Sequence, residues 1–286
     1  MIISVRRVVA VCAACAVGAV LAACGSADRA PHAAGPASTS SPSAAVPSRP
    51  PTLAPGPAGL TPVFQHAPRG RDRTVALTFD ADMTADQGPR AAAGERFDNP
   101  GLIAALRTLK VPATVFMTGR WAEEYPDQAR SIGHDPLFEI ANHSYSHHAF
   151  TADCYGLPTV PEHRMRADVE RAYAAFRTAG VTDAMPYFRF PGGCYDQRAL
   201  RAVSGAGVTA VQWDVVSGDA FATDAEAVAR QVLEGVKPGS VVVMHCTRSA
   251  APATERAVRA IVPELRRQGY RFVKVSELIG SAPGRG

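Results

Sequence analysis

His143 and His147 stand four residues apart in Asn142-His143-Ser144-Tyr145-Ser146-His147, at the end of an apolar run. Neutral imidazole is the commonest zinc ligand, and a catalytic zinc needs a third protein ligand plus an open position for water. The pair alone is equally consistent with surface histidines beside a turn, so its meaning rests on what the rest of the chain brings near it. Further residues able to bind metal or move protons are Asp80, Asp82, Arg189, Asp214, Asp219 and His245. Taken singly, Asp80 reads as a helix cap, Arg189 as a surface ion pair and His245 as a satisfied core histidine. Their shared position in the pattern of elements argues otherwise.

That pattern is an alternation of strands and helices. Strand-forming runs are predicted over Thr74–Phe79, Ala113–Met117, Leu137–Ala141, Tyr187–Phe190, Val208–Trp213, Ser240–Met244 and Arg271–Val275. Helical spacing is found over Asn99–Lys110, Trp121–Ile132, Gln197–Ser204, Asp224–Gly235 and Thr254–Gln268, the last disturbed at Pro263. The clearest helix is Glu162–Thr178, with Met165, Val169, Tyr173 and Phe176 on one face and Gly180 placed to stop it. Such alternation predicts a parallel sheet with right-handed crossovers. About seven strands over some 210 residues suit a distorted (β/α) barrel slightly better than an open doubly wound sheet, and no Gly-x-Gly-x-x-Gly follows the first strand. The polar residues named above all fall at or just after C-terminal strand ends, the barrel face on which catalysis is assembled.

The 286 residues suffice for one large α/β domain. Net charge is +4, from 30 basic and 26 acidic side chains, too small and scattered an excess for a nucleic-acid footprint. No protein partner is inferred. Residues 1–23 are expected to be a secretory signal, with Arg6 and Arg7 ahead of the apolar run Val8–Val20. Leu21-Ala22-Ala23-Cys24-Gly25 looks like a bacterial lipobox, which makes Cys24 the expected lipidated residue and the outer face of the cell membrane the expected location. Residues 24–70 are expected to be this cysteine and a disordered Ala/Pro/Ser-rich tether, and 71–280 the folded domain. Beyond Cys12, Cys15 and Cys24, the cysteines are Cys154, Cys194 and Cys246; an oxidising compartment permits one disulfide, whose pairing sequence does not fix.

Thr78-Phe79-Asp80, His143-Ser144-x-x-His147, Arg189-x-Pro191-x-Gly193, Asp219 and Val243-x-His245 follow one another in the order and spacing of the polysaccharide deacetylase family, the NodB-homology domain grouped with the family 4 carbohydrate esterases. The chain resembles that family over about residues 72–279. The resemblance implies a distorted (β/α) barrel that removes acetyl groups from sugars with a divalent metal, zinc in most cases, bound by His143 and His147. It implies that Asp80 is the general base toward a metal-bound water and that Arg189 holds it. It further implies Pro191-Gly192 as the turn whose Gly192 N–H stabilises the oxyanion, His245 as general acid and Asp219 as the carboxylate that raises the acid's pKa.

The sequence departs from the family at four places. The family's second aspartate, a metal ligand, is Ala81, so either the neighbouring Asp82 or a water completes the site. The aromatic of the family's Arg-x-Pro-Tyr-Gly is Gly192, the tryptophan after the acid's carboxylate partner is Ala220, and a leucine two before the acid is Val243. The two lost aromatics leave the wall around the acetyl group open, and Trp213 is a possible replacement. A Cys154–Cys194 disulfide would pin the two active-site loops that lost those residues; a Cys246 thiolate on the metal is the lesser option. The implied function is N-deacetylation of an acetylated envelope polysaccharide, peptidoglycan or a chitooligosaccharide-like glycan. The alternatives are an O-acetyl esterase and a degenerate lipoprotein that binds glycan without turnover.

Overall fold

The computed structural model describes residues 49–282. The expected signal peptide, the lipidation of Cys24 and the tether up to residue 48 lie outside them. The strands are β1 (Val63–Phe64), β2 (Thr74–Ala81), β3 (Ala113–Met117), β4 (Phe138–Asn142), β5 (Tyr187–Phe188), β6 (Thr209–Val211), β7 (Val215–Val216), β8 (Ser240–His245) and β9 (Arg271–Phe272). The helices are α1 (Gly88–Ala92), α2 (Pro100–Thr108), α3 (Gly119–Glu124), α4 (Pro126–Gly133), α5 (Glu162–Thr178), α6 (Gln197–Ala202), α7 (Ala225–Gly235), α8 (Thr254–Arg267) and α9 (Val275–Ser281). All strand pairs are parallel, in the order β1-β6-β5-β4-β3-β2-β8-β7, with β9 on the start of β2. This is the expected barrel, with eight strands along its path rather than about seven, curled but left open between β1 and β7. Arg69, beyond β1, spans that opening to Asp214, before β7, at 2.6 Å.

Side chains on a strand alternate between faces, and here the alternation sorts the whole molecule. On β2, Val75, Leu77, Phe79 and Ala81 pack outward under the helices, as do Phe138 and Ile140 on β4 and Val242 and Met244 on β8. The other parity fills the barrel with Ala76, Phe116, Ala141, Tyr187, Val211 and Val241, closed below by Val275, Leu278 and Ile279 of α9. Continuing the inward parity to the C-terminal ends reaches Asp80 and Asp82 after Ala76, His143 after Ala141, Arg189 after Tyr187 and His245 after Val241. One rule of strand geometry therefore puts five chemically capable side chains at one mouth.

Several boundaries differ from expectation. The folded domain begins well before residue 71: Val63–Phe64 pair with Ala210–Val211, the Leu53 N–H donates to Thr209 Oγ1 (3.1 Å) and the Tyr187 hydroxyl donates to Pro51 O (2.8 Å). A two-residue strand is too short to show alternation, so the Pro-rich composition around it dominated the sequence pattern. The helix expected over Trp121–Ile132 is two, because Pro126 has no N–H to continue α3 and instead starts α4. By contrast α8 runs unbroken through Pro263, which lies on its exposed face, where water can serve the carbonyl that loses its partner. Asp214 is not at the catalytic end. Its carboxylate accepts from Ser240 Oγ (2.8 Å) and the Val241 N–H (2.7 Å) at the start of β8, so it pins the opposite end of the barrel.

Candidate active site

His143 and His147 are not successive turns of a helix. Ser144 and His147 both adopt positive φ (68° and 57°), uncommon for residues with a side chain, and the Asn142 side chain accepts from the Ser144 N–H (2.8 Å) to hold the first of them. Asp168 on α5 accepts the N–H and hydroxyl of Ser146 (3.3 and 3.1 Å) and holds the middle of the loop. This tight turn brings the two imidazoles to 5.0 Å between ring centres. His143 Nδ1 lies 2.9 Å from Arg189 O, and because a carbonyl only accepts, Nδ1 is the donor there and Nε2 is the ring nitrogen turned to the mouth. Burial pushes His147 down to about 4, so it is a neutral imidazole at physiological pH.

Asp82 lies across from them, its Oδ2 3.8 Å from His147 Nε2. Burial works against its charge, but the neighbouring imidazoles and the Thr247 hydroxyl, which donates to Oδ1 at 2.8 Å, hold the carboxyl below its usual range. Ala81 has the opposite parity and no exposed surface. The one-residue displacement from the family's aspartate thus returns a carboxylate to the inward face.

Among the described residues no three His, Cys, Asp or Glu side chains stand as a closed metal cage. Tetrahedral donors at 2.0–2.1 Å lie roughly 3.3 Å apart, so 3.8 Å between His147 and Asp82 leaves only a small closure to make. Two imidazoles and one carboxylate are the donor chemistry of a three-ligand divalent site, and the residues fit such a metal. Cys246 does not join them: it has no exposed surface, sits in the outer core and is pushed up to about 12 by burial, which excludes a ready thiolate.

Asp80 Oδ1 accepts from Arg189 Nη1 at 2.6 Å, and its Oδ2 is 3.6 Å from His143 Nε2. Arg189 is fully buried, with Nε donating to Val211 O (3.2 Å) and the guanidinium 3.9 Å from the centre of the Phe116 ring. Burial lowers its pKa and Asp80 opposes that shift, so the two charges justify each other inside the barrel. Next to them, His245 Nδ1 and Asp219 Oδ1 are 2.8 Å apart. Asp219 also accepts from the His245 N–H (2.8 Å), Ser217 Oγ (2.8 Å) and Thr254 Oγ1 (2.6 Å). Burial opposes a charge on His245, yet the Asp219 contact, aided by Asp82 and Asp80, outweighs it and raises the imidazole to about 10.

Pro191 and Gly192 form the turn that follows Arg189, with Gly192 at φ 65°. A Cβ there would meet Cys154 Sγ at 2.5 Å, and one on Gly193 would overlap the Trp213 ring. Cys154 and Cys194 are disulfide-bonded, joining the two loops as expected.

The arrangement is a buried carboxylate held by arginine, a charged imidazole held by carboxylate, and a histidine pair facing Asp80 and Asp82. A profile described as Polysaccharide deacetylase matches residues 67–211, just over half of the chain. The chain belongs to this family. It is similar to a chitooligosaccharide deacetylase from Bradyrhizobium sp., 28% identical across 72% of this chain and 90% of that one. A peptidoglycan-N-acetylglucosamine deacetylase from Bacillus cereus is also 28% identical, across 73% and 89%. Among solved structures, a peptidoglycan N-acetylglucosamine deacetylase in complex with 4-naphthalen-1-yl-N-oxidanyl-benzamide superposes with a TM-score of 0.63 at 25% identity, covering 78% of this chain and 94% of that one.

The structure brings together every deacetylase-motif residue named from sequence: Asp80, Asp82, His143, His147, Arg189, Pro191, Gly192, Asp219 and His245. Sequence reasoning missed the groups that hold them, namely Thr247 on Asp82, Thr254 and Ser217 on Asp219, and Asp168 under the histidine loop. Only Thr247 carried a signal, since two residues past His245 it keeps the inward parity. The buried pair yields one prediction here. Arg189→Met strands the Asp80 carboxylate and is expected to cost about 3–5 kcal/mol in urea unfolding, with Asp80→Asn/Arg189→Met costing less than that single change.

Proposed function

We propose that this chain is a divalent-metal-dependent deacetylase that removes N-acetyl groups from an envelope polysaccharide, peptidoglycan or a chitooligosaccharide-like glycan. The observation that carries it is the coexistence, at one barrel mouth, of Arg189-held Asp80, Asp219-held His245 and the histidine pair. His143, His147 and Asp82 would hold the cation, which supplies Lewis-acid polarisation of the acetyl carbonyl and of water.

Asp80, fixed by Arg189, takes the proton of the attacking water as the new C–O bond forms. The Gly192 N–H, in the turn behind Arg189, is the backbone donor for the developing oxyanion. His245, protonated and oriented through Nδ1, then gives its Nε2 proton to the sugar nitrogen as the C–N bond breaks, releasing acetate and an amine. An amide nitrogen leaves poorly without that proton, so the strong Asp219–His245 pair favours amide over ester chemistry.

The lipobox at Cys24 supports anchoring at the outer face of the cell membrane, next to peptidoglycan; among the described residues no helix is long and apolar enough to cross a membrane. The test is metal analysis of the purified protein with acetate release from peptidoglycan and N-acetylchitooligosaccharides. Acetate release should be abolished by chelation and restored by zinc or cobalt. No acetate from either substrate at saturating metal would overturn the reading.

A further inference from the structure

Tyr155 is the most exposed large hydrophobic side chain among the described residues, at 89% of its surface, and it is held in a conformation that tyrosine seldom takes. Its φ is 50° and that of Gly156 is 74°, two consecutive left-handed residues. Such backbone persists only where its surroundings over-determine it, and they do here. The loop is closed at its base by the Ala149 N–H donating to Pro158 O (2.7 Å) and the Val160 N–H donating to Ala149 O (2.8 Å). Its tip is closed by the Leu157 N–H donating to Cys154 O (2.9 Å), and Cys154 is bonded to Cys194. The backbone that carries this ring is thus fixed, and it holds the ring in the open with no core packing to explain it.

The ring's place is informative. A Cβ built on Gly192 would come 3.3 Å from Tyr155 Cδ2, so the tyrosine ring borders the space that a side chain at 192 would enter. Gly192 belongs to the Pro191–Gly193 turn, one residue beyond Arg189, whose guanidinium holds Asp80. An aromatic face delivered by a separate, disulfide-bound loop therefore stands at the lip of the catalytic mouth.

We infer that Tyr155 is a stacking platform for a pyranose ring of the glycan, in a subsite beside the one where the acetyl group is cleaved. The apolar face of a pyranose presents C–H hydrogens that suit the negative face of an aromatic ring, while its hydroxyls stay in water. A loop whose backbone is already fixed loses little freedom on binding, which is the use of the strained turn and the disulfide. The inference rests on the proposed glycan substrate but not on turnover.

The test is calorimetric titration of the full-length, metal-free protein with N-acetylchitotetraose, beside hydrolysis of 4-nitrophenyl acetate by the zinc-loaded protein. Asn tolerates positive φ, so Tyr155→Asn keeps the loop's backbone while removing the ring. That variant should bind the tetramer at least tenfold more weakly, Tyr155→Phe should stay within twofold of wild type, and both should hydrolyse the small ester at the wild-type rate. Cys154→Ala/Cys194→Ala, which frees the loop, should weaken tetramer binding in the same direction. Wild-type affinity in Tyr155→Asn, or no binding of the tetramer by the wild-type protein, would overturn the inference. Binding through Tyr155 without acetate release at saturating metal would uphold the platform and defeat the deacetylase reading instead.

Discussion

Asp82→Ala is expected to lower divalent-metal affinity by at least about 10²-fold, since changes merely to the groups behind a ligand already cost 10–100-fold. Calorimetric zinc titration measures it directly. A second readout needs no substrate. A ligand that binds only the folded state stabilises it by about 2.7 kcal/mol at a hundred times its dissociation constant. The zinc-induced rise in melting temperature seen for wild type should therefore shrink in the variant.

The informative companion is Asp82→Ala/Ala81→Asp, which restores the family's own arrangement at residue 81. It is expected to fail. Ala81 points outward with Phe79 and Met83 into the packed layer under the helices and has no exposed surface. A carboxylate there would be buried without a partner, at a cost of several kcal/mol, and would face away from His143 and His147. Undiminished zinc affinity in Asp82→Ala, or recovery of zinc binding in the double variant, would show that Asp82 is not the third ligand.

The same parity explains what could be read from sequence and what could not. Runs of five or more residues, such as those of β2, β3, β4 and β8, are long enough to show as strands, and the polar residues closing them marked the catalytic end. Neither β1, in Pro-rich sequence, nor β7, three residues after β6, separates from its surroundings in the pattern, and without β7 Asp214 reads as closing the preceding run. Asp82 remained open between ligand and outer neighbour for a related reason. Spacing says that residues 80 and 82 share a face, but only the burial of Ala81 shows which face that is. The histidine loop was legible as a motif and not as a shape, since the left-handed turns at Ser144 and His147 depend on Asn142 and on Asp168, which lies on a helix 22 residues beyond Ser146.

The second large effect concerns the acid. His245→Ala is expected to lower kcat on an N-acetylated glycan by about 10²–10⁴-fold, the range of a positioned proton donor. On 4-nitrophenyl acetate, whose leaving group departs as an anion, the loss should be far smaller. Equal losses on both substrates would mean that His245 is not the proton donor.

Asp219→Asn separates the charge from the contact. The carboxylate uses all four of its acceptor positions, and Asn can keep the backbone N–H of His245 and Thr254 on its carbonyl oxygen while its NH₂ donates to His245 Nδ1. The fold should survive, but His245 is then a neutral imidazole with its proton on Nε2, a much weaker acid. With His245 raised to about 10 in the metal-free protein, the amide reaction should decline on the alkaline side as that proton is lost. A bound cation offsets the charges of Asp82 and Asp80, so this limb should lie somewhat below 10. In Asp219→Asn it should move at least one pH unit lower still. The same shift acts on stability. A histidine whose folded pKa exceeds its unfolded value of about 6.5 contributes stability that is fully present below 6.5 and lost as pH rises through about 10. Wild type should therefore lose melting temperature across that window, and Asp219→Asn should lose less over the same range. A wild-type melting temperature that is flat from 6.5 to 10 would mean that the Asp219–His245 pair carries no extra proton, leaving the amide reaction without its acid.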